Sequence, residues 1–74
     1  MISGRATLAC ISYAMCLVGQ PGFDIARDLM LMPTRDWNWF LNETLAIFPE
    51  DSAEYAVAEE FQRIIRTNGA EIAA

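Results

Sequence analysis

The sequence contains no histidine and no lysine, and only two cysteines and four glycines in 74 residues. Each shortage removes a class of chemistry. Without histidine there is no ordinary general base near neutral pH, and a zinc site has too few ligands. Without lysine there is no Schiff-base former or lysine nucleophile. No G-x-S-x-G elbow and no glycine-rich phosphate loop occurs, so the usual serine-hydrolase and nucleotide-binding signatures are missing. No C-x-x-C occurs either. Cys10 and Cys16 stand six positions apart in one expected helix. There they lie roughly 120° apart around the axis and about 9 Å along it, which rules out a disulfide while the helix stands. Both read as small core or near-core residues in a reducing, cytoplasmic setting. The carboxylates do not converge on a catalytic or EF-hand arrangement: the neighbours Glu59 and Glu60 point about 100° apart. Asp24 and Asp28, one turn apart, read as a helix cap and a solvated acid rather than a cation site. The expectation is a protein that is not an enzyme and carries no cofactor or metal.

What remains is apolar and acidic. The hydrophobic fraction is 54%, and ten carboxylates face five arginines for a net charge of −5. At 8.3 kDa the chain makes a single domain, residues 1–74, and folding removes only about 60% of the surface that the unfolded chain exposes. So small and apolar a domain leaves some hydrophobic surface for a partner or a second copy to cover. Its charge opposes phosphate backbones and anionic membranes and favours a partner protein with a basic surface. The stretch Ala6 to Val18 has some character of a signal-peptide core, but it is shorter than the ~20 residues that cross a bilayer and reads as a buried helix.

Punctuation along the chain predicts an all-α bundle of about four short helices, over 4–18, 24–32, 35–48 and 52–68. Ser3 caps the first, and Gly19-Gln20-Pro21-Gly22 ends it. On its wheel Leu8, Ile11, Met15 and Val18 form one face while Cys10, Tyr13 and Leu17 spread around the other, so the helix is either central or covered by a partner. Phe23 and Asp24 are a staple and an N-cap for the second helix, which Pro33 closes. Its run Leu29-Met30-Leu31-Met32 reads as buried. Thr34 caps the third helix, and Pro49 ends it. Asp51 or Ser52 caps the fourth, Val57, Ala58, Phe61, Ile64 and Ile65 form its apolar face, and Gly69 takes the C′ position before a fraying tail.

The most informative segment is Arg35-Asp36-Trp37-Asn38-Trp39-Phe40-Leu41-Asn42. Trp37, Phe40, Leu41, Thr44, Leu45 and Phe48 share one broad face, whereas Trp39 falls on the opposite side near Asn42, Glu43 and Ala46. The two tryptophans cannot enter the same core. Trp39 is therefore the leading binding anchor, with packing on the flank of helix one as its structural alternative. The expected partner-binding set is Trp39, Asn42, Glu43, Arg35, Glu59 and Glu60. The function expected is a small acidic protein-binding module: an inhibitor, adaptor or regulatory subunit, with a homodimer open. Compact, chemically inert proteins of this general type are common among phage and mobile-element products that act on a host complex.

The segment from Ile25 to Asn42, about 18 of the 74 residues, also resembles a phage-repressor type of helix-turn-helix. Ala26 and Leu29 stand for the packing residues of the first helix, and Phe40 and Leu41 for the apolar pair of the recognition helix. The resemblance implies a DNA-binding regulator with Arg35, Asn38 and Asn42 facing the bases. The sequence departs from that pattern at Met30, where the turn usually has glycine, at Pro33, which lengthens the turn, and at Asp36. A third reading is mimicry of DNA by Glu50, Asp51, Glu54, Glu59 and Glu60.

Overall fold

The computed structural model describes residues 2–73, with side chains up to residue 68. Its elements are α1 (Gly4–Cys16), α2 (Phe23–Met30), a 3-10 turn (Thr34–Asp36), α3 (Trp37–Ile47) and α4 (Ala53–Ala73), with no strand among the described residues. The all-α bundle is thus as expected. The long helix α4 is the spine. At about 1.5 Å per residue its 21 residues span nearly the whole 33 Å long axis of the molecule. The other three helices all pack on it.

Both serine caps are present. The Ala6 amide donates to Ser3 Oγ at 3.0 Å, and the Tyr55 amide donates to Ser52 Oγ at 3.1 Å. The other boundaries differ from expectation. α1 stops at Cys16, with Leu17 as its cap, two residues early. α2 begins one residue early at Phe23, and Asp24 lies in its first turn instead of capping it; the cap position belongs to Gly22 at φ 91°. Thr34 opens a 3-10 turn, not the third helix, and the Trp37 indole N–H donates to the Met32 carbonyl at 3.1 Å across that turn. α4 runs on through Gly69 instead of ending before it. A glycine inside a helix costs only ~1 kcal/mol, and Ala70, Glu71 and Ala73 beyond it are strong helix formers. Ala74 of the expected fraying tail lies outside the described residues.

The core centres on Phe61 of α4, fully buried with Leu29, Leu41 and Cys10. Tyr13 of α1 meets Phe61 edge to face, with ring centroids 5.0 Å apart at 73°. From α3 come Trp37, Leu41 and Thr44; the Thr44 hydroxyl donates to the Phe40 carbonyl at 2.9 Å and so enters the core satisfied.

α1 is oriented against expectation. It buries the small residues Ala6, Cys10 and Ala14, and it turns Leu8, Met15 and Val18 outward at 68%, 71% and 65% exposure, with Ile11 at 38%. The helix is therefore not buried all round, and Cys16 is exposed rather than near-core. The apolar run on α2 is divided as well: Leu29 is fully buried, Met30 and Met32 are half-buried, and Leu31 is exposed. Burial in apolar surroundings pushes the Cys10 thiol up to about 11.

The α1–α2 turn depends on Gly22. Its backbone is left-handed, and a Cβ there would lie 2.6 Å from Val57 Cγ2 and 3.2 Å from the Ala53 carbonyl oxygen of α4. Gly19, at φ 79°, has nothing within 4 Å of such a Cβ. Gly19→Ala should therefore cost only the left-handed penalty of about 1 kcal/mol, and Gly22→Ala about 2–3 kcal/mol, because a steric clash is added. Urea titrations of the two variants check this. Equal losses would mean that α2 does not approach α4 so closely.

Candidate functional site

Trp39 points away from the core. It is 65% exposed, whereas Trp37, two residues earlier, is only 3% exposed. The ~200° that separates positions i and i+2 on a helix accounts for the division. The residues that line a groove with Trp39 lie on α2, on α3 and its C-cap, and at the start of α4, and none lies on helix one. With Glu43, one turn on, and Ile47, one turn further, Trp39 lines this groove of about 530 Å³ between α2 and α3. Ile25, Phe40 and Phe48 supply further apolar surface. Asp24, Asp28, Glu43 and Glu54 stand around it against a single cation, Arg27.

Arg27 is already engaged on its own helix. Its guanidinium lies 3.6 Å from Asp24 and 3.3 Å from Asp28. These exposed pairs contribute little to stability, but they hold Arg27 and partly neutralise the α2 side. Glu43 and Glu54 have no ion-pair partner among the described residues. The local field is therefore negative, over an apolar surface containing a large exposed aromatic ring.

The other residues of the expected set are not brought together here. The Asn42 side-chain oxygen accepts from Gln62 Nε2 at 2.7 Å, which ties α3 to α4. Glu59 and Glu60 line a second, shallower depression on α4 with Gln62, Arg63 and Arg66. Arg63 Nε donates to Glu60 Oε1 at 3.0 Å, and this hydrogen bond holds the Glu60 carboxyl below the usual carboxylate range. Two arginines thus interrupt the carboxylates of that face, which weakens its likeness to a row of phosphates. Burial, with a smaller contribution from Glu60, raises the Tyr13 phenol nearby. Arg35 is exposed on the 3-10 turn and lines neither depression. Asp24, Arg27, Asp28, Ile47 and Glu54 were not in the expected set. Ile47 was within reach of the i, i+4, i+8 row from Trp39; the α2 acids required knowledge of which helix lies beside α3.

Among the described residues no group of three or more histidines, cysteines, aspartates or glutamates is placed to hold a metal ion. No helix among them is long and apolar enough to cross a membrane. With Trp39 as the only emitter, the Trp37→Phe variant should fluoresce near the wavelength of a hydrated indole and be quenched readily by acrylamide. Trp39→Phe should emit to the blue and be protected several-fold. Equal quenching of the two variants would contradict the geometry. The chain matches no family model, no curated protein and no solved structure.

Proposed function

We propose that the chain is a non-catalytic protein-binding module, an inhibitor, adaptor or regulatory subunit, whose α2–α3 groove takes an amphipathic basic segment of its partner. The observation that carries this reading is Trp39, 65% exposed in an apolar groove bordered by carboxylates. An exposed tryptophan costs solvation and is enriched among residues that dominate binding energy. The acidic border gives the site a preference. Lysines and arginines of a partner would meet Asp24, Asp28, Glu43 and Glu54 while its apolar side chains enter beside Trp39, Phe40 and Ile47.

The same border disfavours the DNA-binding alternative. The helix that carries Asn38 and Asn42 also carries Glu43, Asp36 precedes it, and Asp24 and Asp28 lie across the groove. A phosphate backbone laid there would meet carboxylates, with no lysine anywhere in the chain to offset them.

Capture from nuclease-treated native lysate, with wild type and Trp39→Ala in parallel, tests the reading. A basic protein should be retained in low salt and released by about 0.5 M salt, where the screening length falls to a few ångströms. Trp39→Ala should weaken capture by about 30-fold or more, the loss typical of a central hot spot. Recovery that depends on nucleic acid, or that is indifferent to Trp39→Ala, would contradict it.

A further inference from the structure

A second surface is unlike the first in its electrostatics. The outward face of α1 carries Leu8, Ile11 and Met15, and Val18 continues the row into the following turn. Leu31, 79% exposed at the end of α2, lies beside it. Between Met15 and Val18 on one side and Met30 and Leu31 on the other runs an apolar groove of about 290 Å³. Arg27 also lines it, with its guanidinium turned to Asp24 and Asp28. Five large aliphatic side chains in one patch reach the several hundred Å² at which an exposed apolar surface usually marks an interaction.

We propose that this face is where two copies of the chain associate, pairing α1 with α1 about a two-fold axis. Three observations favour a second copy over other occupants. The first is the spacing: Leu8, Ile11 and Met15 on α1 follow steps of three and four, as the a and d positions of a seam that packs against a like helix do, and Val18 extends the row into the turn. The second is charge. All ten carboxylates lie at position 24 or later, and Arg5 is the only charged residue before it. On an acidic molecule two copies meeting here bring no α1 carboxylate together, and the acids beside the groove, Asp24 and Asp28, are paired with Arg27, so the face offers little to a partner selected for basic charge. The third is shape. Leu8 stands about two to three turns from the Met15–Val18 groove along α1, so antiparallel pairing brings Leu8 of each copy to the groove of the other. A membrane surface fits less well, because interfacial helices draw on lysine and arginine that α1 lacks apart from Arg5.

Each copy carries −5, so long-range repulsion opposes the pair and salt relieves it. Association through this face therefore tightens with salt, opposite to capture of a basic partner by the Trp39 groove. Sedimentation velocity of the full chain at increasing concentration, in about 50 and about 500 mM NaCl, reads this directly. The expected mass rises from 8.3 kDa towards twice that value, at lower concentration in the higher salt. Met15→Glu and Leu8→Glu, both at exposed positions, should keep the native circular dichroism and weaken association at least about tenfold. Trp39→Ala should dimerise as wild type does, which keeps this outcome separate from that of the proposed function. Three results would overturn the proposal: a monomer at every concentration, a dimer indifferent to both glutamate variants, or a dimer lost with Trp39→Ala. In the monomer case, flotation with phosphatidylcholine vesicles would show whether lipid takes the face instead.

Discussion

The rest of the molecule depends on how α1 lies along α4. Phe61, fully buried in the middle of the spine, takes the edge of the Tyr13 ring, and the helix presented to α4 is lined by Ala6, Cys10 and Ala14. Small side chains at a helix contact let the two axes approach closely. With Leu8, Met15 and Val18 turned inward, the helices would have to separate, and the core of so short a chain has no spare residues to fill the gap. Close packing, rather than maximal burial of hydrophobic area, decides which face goes in.

That choice has two consequences at the surface. The larger aliphatic side chains of α1 are left outside as a face with Arg27 as its one charged lining residue among those described, and the chain turns sharply at Gly22 so that α2 packs on both α1 and α4. The position of α2 then sets its acids, Asp24 and Asp28, across from Trp39 and Glu43 on α3. The two faces differ in chemistry, one apolar and acidic, the other apolar and nearly uncharged. We propose different partners for them, and salt distinguishes the two proposals.

Much of the fold is legible in the sequence because it rests on local chemistry. Ser3 and Ser52 cap helices where their side chains predict it, and Pro49 follows the end of α3, whereas α2 stops at Met30, two residues short of the expected end at Pro33. The opposed fates of Trp37 and Trp39 follow from helical geometry alone. What is not legible depends on contacts distant in sequence. A helical wheel ranks Leu8, Ile11, Met15 and Val18 as the face to bury, because it weighs hydrophobicity and not the volume available opposite. Asp24 fails as a cap because the left-handed Gly22 starts the helix a residue earlier. Gly69 fails as a stop because the penalty for glycine is small against the helix formers around it. Half of the acidic border of the groove was likewise hidden, since nothing in the sequence of α2 tells which helix it will lie beside.

The orientation of α1 is the central claim, and its two cysteines report on it directly. Cys10 is fully buried, its thiol raised to about 11, while Cys16, on the same helix, is exposed. Timed labelling of the native protein with a thiol reagent, read by peptide mass, measures both at once. The account predicts that Cys16 reacts as fast as an unfolded control while Cys10 reacts only through opening of the fold, slower by orders of magnitude. If Cys10 were labelled as fast as Cys16 under native conditions, α1 would not present its small face to α4, and both surfaces derived from that packing would have to be redrawn.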